Sequence, residues 1–307
     1  MHRANATVVI ALGLLGGACA TGGQRAALGW SLGGEAHVFI AGDRFASDYY
    51  HRLTGNNDLR DSLQHRPLIA IEPRARKADS ATVLSANGAA PARLTLARFH
   101  AAAECGAAEA VTELVLAFPP GGGASHSAPP SHVNVVALLD GTPFASGAQP
   151  GRGRLTRGSM LALLNGVLHR AEPNAPLRPL ALDADQAADA GEVVLVDSLY
   201  AVGFRARALG TGGDTLLVTA VAIADGALRH VHWVMKPRRT PLRGGMMQPD
   251  EPGVRYSLRG VVAAPGGGHL LLVDEIADVR ASDSRALAVD AETHDVIATQ
   301  PLALRCP

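Results

Sequence analysis

The stretch Tyr200-Ala-Val-Gly-Phe-Arg-Ala-Arg207 decides the fold class, because Tyr200, Val202 and Phe204 alternate with Ala201, Gly203 and Arg205. A period of two belongs to a strand with one dry and one wet face. The neighbouring segments repeat the pattern. Asp214 to Ala224 runs through the turn dipeptide Asp225-Gly226 into Ala227 to Met235, which places Val231, Trp233 and Met235 beside Ala220, Val218 and Leu216. Val254 to Ala263, His269 to Val279, Arg285 to Asp290 and Asp295 to Ala298 follow at hairpin spacing. Further upstream, His37 to Ile40, Leu68 to Ile71, Thr82 to Leu84, Arg93 to Phe99, Val111 to Phe118, His132 to Leu139 and Pro179 to Leu182 read as strands between glycines and prolines. One segment is helical by its spacing: Thr156 can cap it, Met160, Leu161, Leu163, Leu164, Val167 and Leu168 form its apolar face, and Pro173 closes it. A second helix is expected from Asp43 through Leu53, before Gly55. The expected fold is mainly β: an antiparallel β-sandwich or open barrel of hairpins with one or two helices.

Composition narrows the function classes. The 307 residues carry 28 basic and 28 acidic side chains, and Lys77 and Lys236 are the only lysines, so there is no field to attract a nucleic acid backbone. Aromatics make up 4%, too few for the two interfacial girdles of an outer-membrane barrel, and the last strand runs into Leu304-Arg305-Cys306-Pro307.

The N-terminus carries the clearest address. His2 and Arg3 precede an uncharged run from Ala6 to Leu15 and then the small residues Gly16-Gly17-Ala18-Cys19-Ala20, the layout of a secretory signal peptide. The apolar run is too short to cross a bilayer as a helix. Ala18-Cys19-Ala20 fits general signal-peptidase cleavage before Thr21. Gly17-Ala18-Cys19 resembles a bacterial lipobox, which implies a diacylglyceryl group on the Cys19 sulfur and a mature chain beginning there. Gly16 departs from that pattern, which usually has leucine. The organisation that follows is a signal peptide over 1–18, a flexible glycine-rich tether over 19–35, a β-rich half over 36–150, and a helix with an antiparallel meander over 151–307, the two halves forming one interleaved unit. The product is expected in the cell envelope as a lipoprotein facing the periplasm or the surface, the alternative being a soluble periplasmic or secreted protein. Export leads to an oxidising compartment, and Cys105 and Cys306 remain as an even pair, so a disulfide between them is expected.

Two short strings resemble known motifs. Gly29-Trp30-Ser31-Leu32-Gly33 resembles the nucleophile elbow of α/β-hydrolase esterases, but no buried parallel strand precedes it and Glu35 to Ile40 reads as strand where a helix is needed. Leu287 to Ile297 resembles the outer hairpin of a quinoprotein-type propeller blade, with His294 where that pattern has glycine. No second copy recurs at a fixed period, which a ring of blades requires.

The residues able to carry chemistry are scattered. His230 and His232, two apart, share one strand face and offer two ligands to a divalent metal, with His269, Asp274 or Glu275 as candidate thirds. Asp183, Asp185, Asp189 and Glu192 have part of a calcium-loop spacing but lack its glycine and closing glutamate. Asp274 and Asp278 fall on the face opposite Glu275, so they do not form an acid–base pair by spacing, and His100 faces away from Cys105. Arg152 to Arg157 and Lys236 to Arg243 read as basic, proline-bounded loops able to touch anionic lipid or glycan phosphate. Two readings remain open. The first is a non-catalytic envelope module, lipid-anchored, that binds an envelope protein or polymer or serves as a scaffold subunit. The second is an envelope metal-dependent hydrolase using His230 and His232.

Overall fold

Small side chains alternate with branched ones on one face of the first six strands, and that face closes on itself. In the computed structural model, which describes residues 26–41, 80–100, 105, 111–120, 133–139, 151–152, 157–171, 178–179, 193–196, 199–210, 213–225, 230–243, 246–247, 254–264, 268–277 and 283–302, the chain is mainly β with one short helix. Strands β1 (Ala26–Leu32), β2 (Glu35–Ala41), β3 (Ser80–Ser85), β4 (Gly88–His100), β5 (Val111–Ala117) and β6 (Val135–Leu138) form a closed antiparallel barrel in the order β1-β2-β5-β4-β3-β6. A barrel of so few strands has little interior room. Its filling fits that limit, since Ala27, Ala36, Ala81, Ala92 and Ala137 interleave with Val38, Val83, Leu114, Leu116 and Val135.

The tether expected over 19–35 is therefore corrected from Ala26 onward. Ala26, Ala27 and Leu28 are buried, and β1 pairs with β2 on one side and β6 on the other. Two glycines of this stretch belong to structure: Gly33 and Gly34, at φ 60° and 90°, make the turn into β2, a conformation that side-chain-bearing residues adopt at a cost.

The remaining elements build two open sheets. β7 (Gly151–Arg152), β8 (Arg178–Pro179), β9 (Val193–Val196), β10 (Leu199–Leu209), β11 (Thr215–Asp225), β12 (Val231–Arg243) and β13 (Met246–Met247) form a seven-stranded sheet, with helix α1 (Arg157–Ala171) between β7 and β8 in the chain. β14 (Val254–Ala263), β15 (His269–Ala277), β16 (Arg285–Asp290) and β17 (Val296–Pro301) form a four-stranded meander.

Three cores join four layers. Leu163, Leu164, Val167 and Leu168 of α1 pack on Val202, Phe204, Val218 and Ala220. The opposite face of the seven-stranded sheet, through Ala201, Val221 and Ile223, meets Leu258, Val261, Leu271 and Val273 of the meander. The meander's other face, through Leu270, Leu272, Ala286 and Ala288, meets Ala26, Leu28, Leu84 and Val136 on the barrel wall. Alternation along β15 thus feeds two cores, and the meander is the central layer.

That arrangement changes three expectations. The face of β10 expected to be wet is dry at Ala201 and Gly203, which β14 covers, and exposed at Arg205 and Arg207. The Asp225-Gly226 turn is longer than two residues: the Asp225 N–H donates to the His230 carbonyl at 3.2 Å, and Val231 and Trp233 stand opposite Ala224 and Ala222. Lys236 to Arg243 is strand and not loop. Among the described residues β12 pairs outward only at Leu242 and Arg243, with β13, so Pro237 lies on a stretch whose outer edge has no ladder partner there.

Of the expected Cys105–Cys306 disulfide only Cys105 lies among the described residues; Cys306, like Cys19, lies outside them. Cys105 is fully buried with Phe39 and Val111, and it is engaged with neighbours there. The expected helix from Asp43, the strand at Leu68 to Ile71, the Asp183 to Glu192 loop, Asp278 and the signal segment lie outside the described residues.

Candidate functional site

Chemistry-bearing side chains converge on the outer wall of the barrel, where β2, β5 and β4 lie side by side. In the β2–β5 register Phe39 stands opposite Glu113 and His37 opposite Val115, so His37 and Glu113 are diagonal neighbours on the outer face. β4 reaches the same face through an irregularity. Its even-numbered residues Ala92 and Leu94 pack toward the barrel interior, and the register then slips between Leu94 and Leu96, with the Thr95 hydroxyl donating to the Val115 carbonyl at 3.0 Å. That bulge inverts the alternation, so His100 comes outward beside Glu113.

The result is a buried carboxylate held between two imidazoles. His37 Nδ1 lies 2.7 Å from Glu113 Oε1, and His100 Nε2 lies 2.8 Å from Oε2. The Glu113 side chain is 6% exposed. Burial by itself raises a carboxyl pKa. Here the hydrogen bonds from His100 and His37, with the attraction of their charges, outweigh burial and lower the Glu113 pKa from 4.5 to about 2. An ionised carboxylate only accepts, so each facing ring nitrogen carries its proton and donates.

The second nitrogen of His37 faces outward, 3.9 Å from Glu35 Oε2, in a side chain that is 20% exposed. Trp30 flanks that ring with its plane 14° from parallel and its centroid 6.4 Å away, and Phe39 packs against Trp30 at 4.6 Å. A carboxylate that fixes one imidazole nitrogen leaves the other as an oriented base or ligand.

The motif-like residues take other places. Ser31 is buried in a barrel strand that turns directly into β2; its N–H donates to Asn134 Oδ1 at 3.2 Å, so the strand-to-helix geometry of an elbow is not there. Ser31 lines a cavity of about 130 Å³ at the barrel end, with Val83, Ser85, Asn87 and Phe118. His230 and His232 are both exposed. Asp274 pairs with Arg259 at 2.5 Å and Glu275 with Arg285, so each of these acids already has a cationic partner. The neighbour of His232 is instead His294, whose ring centroid is 6.4 Å away. Among the described residues no group of three or more histidines, cysteines, aspartates and glutamates is arranged to hold a metal ion.

His294 is also the only non-glycine residue at positive φ among those described, at 64° in the β16–β17 turn. This is the position where the sequence pattern calls for glycine. His294→Gly is therefore expected to raise stability by about 1 kcal/mol, read as a higher urea midpoint. An unchanged or lower midpoint would show that the ring contact with His232 outweighs the backbone cost.

Together these features define a layered antiparallel β protein whose distinguishing group is a carboxylate clasped by two histidines on a barrel wall. Comparison of the chain with protein-family models, curated proteins and solved structures finds no match.

The His37–Glu113–His100 group escapes a linear reading. Its members stand 76 and 13 residues apart, none lies in a motif, and the bulge at Thr95 is invisible to strict alternation. The useful signal is an acidic residue in the apolar strand Val111-Thr-Glu-Leu-Val-Leu-Ala117, since a buried glutamate requires partners.

Proposed function

We propose that the protein is an exported, lipid-anchored component of a bacterial cell envelope, and that its β-rich body acts as a non-catalytic binding or structural module. The observation that carries this reading is the N-terminal string: Arg3, the uncharged run to Leu15, and Gly17-Ala18-Cys19, with the first barrel strand beginning at Ala26. A single acyl chain gives only marginal, reversible membrane binding, and a diacylglyceryl group on such a cysteine supplies two. Residues 20–25 then span at most about 25 Å, which keeps the barrel beside the membrane surface. No helix among the described residues is long and apolar enough to cross a membrane. A lipid at Cys19 gives the body its attachment without one.

The test is fractionation of cells producing the native chain and Cys19→Ser. The native protein is expected in the detergent phase and the variant in the soluble periplasm. Equal partitioning of the two would overturn the anchor.

A further inference from the structure

We propose that His37 and Glu35 form an exchangeable site for a divalent transition metal of the zinc class, with Glu113 and His100 as its supporting layer. Glu35 and His37 are two apart on β2 and so project from one face, toward solvent and away from the barrel interior. His37 Nε2 and Glu35 Oε2 are 3.9 Å apart. Two ligands of one zinc ion, each at about 2.1 Å, stand roughly 3.0–3.4 Å from each other, so closing the pair needs a shift of about half an ångström to one ångström. Glu35 is half exposed and has the freedom to supply it.

Three further features suit a metal. The Glu113 carboxylate accepts the Nδ1 proton of His37, which leaves Nε2 with its lone pair outward; metal-binding histidines characteristically hand their other N–H to a carboxylate in this way. His100 holds the second oxygen of Glu113 and fixes the carboxylate in place. The Glu35 and Glu113 carboxylates give the site negative charge that a divalent cation offsets. The ion would have two protein ligands and water in its remaining positions, so it would exchange readily and would not be a structural cage. The His37 and Glu35 exposures of 20% and 47% give it an open path.

Trp30 provides a local reporter. The chain has two tryptophans, and Trp233 lies on β12 near Phe204 and Arg170. In Trp233→Phe, the remaining fluorescence comes from Trp30 beside the His37 ring.

The experiment is a titration of metal-free, full-length protein lacking a polyhistidine tag, with Zn²⁺ by calorimetry and with Cu²⁺ by Trp30 quenching in Trp233→Phe. Cu²⁺ favours the same nitrogen and oxygen ligands and binds at least as tightly. One saturable equivalent is expected by both readouts. Glu35→Gln, a change at a half-exposed carboxylate with no core role, should weaken binding about tenfold or more, and His37→Ala should abolish the quenching. Glu113→Gln should weaken binding about 10–100-fold through the supporting layer. Absence of saturable binding would overturn the proposal. So would binding that Glu35→Gln and His37→Ala leave unchanged, which would place the metal elsewhere, with the His232–His294 pair the first place to look.

Discussion

Gly29→Ala is expected to cost more than about 3 kcal/mol and to open the barrel, the largest effect of a methyl group added at any of the described glycines. A Cβ at Gly29 would lie 1.8 Å from the His37 carbonyl oxygen and 2.7 Å from Val38 Cα. Both are backbone atoms, so no side-chain rotation relieves the overlap. Nor can β1 step aside, because it is paired with β2 at Gly29–Val38 and with β6 at Gly29–Val135, and the ring of strands is closed. Separating β1 from β2 would also displace His37 and the group built on it. Gly166→Ala is the natural control: nothing lies within 4 Å of its added Cβ, it sits on the exposed side of α1, and alanine is the better helix former. Denaturant midpoints that fall sharply for Gly29→Ala and hold or rise for Gly166→Ala are the expected outcome. Equal, small changes would contradict the barrel closure.

The second large effect is acid sensitivity set by Glu113. Its carboxyl titrates near 4.5 when free and at about 2 in the fold, so the folded chain keeps the charge to lower pH than the unfolded one. The contribution is whole above about pH 4.5, shrinks as pH falls, and is gone below about pH 2. A depression of that size corresponds to about 3 kcal/mol. Glu113→Gln removes the charge while keeping the shape, and an amide cannot accept from both imidazoles as a carboxylate does. The variant is expected to be less stable by about 3 kcal/mol at neutral pH, because two histidine donors lose a charged acceptor inside the fold. Its stability should also decline less steeply than the native protein's between pH 4.5 and 2. Urea unfolding at several pH values measures both. Parallel pH profiles for the two chains would remove Glu113 from the account.

What alternation could reveal, it revealed. The strands around Tyr200 to Arg207, the meander from Val254 to Ala298 and the α1 helix with its stripe at Leu163, Leu164, Val167 and Leu168 are local patterns, and local patterns survive in a linear reading. The barrel was less legible for two reasons. Its order β1-β2-β5-β4-β3-β6 departs from sequence order, so closure depends on pairings such as β1 with β6 that no hairpin rule announces. Its first strand, Ala26-Ala-Leu-Gly-Trp-Ser-Leu32, uses small residues because the narrow interior accepts little else, and the same residues suit a tether. Prolines hid the second half of β12, where the sparse outer pairing tolerates them. The candidate site was the least legible part, since spacing places neither His37 nor His100 beside Glu113 until the β2–β5 register and the bulge at Thr95 are known.

The proposed role stands on the N-terminal string, so the most direct measurement is the intact mass of the protein recovered from its own membranes. The expected species begins at Cys19 and carries the mass of a diacylglyceryl group, with or without a further acyl chain. A chain that begins at Thr21, or that retains Met1, and bears no lipid mass would contradict the anchored envelope module.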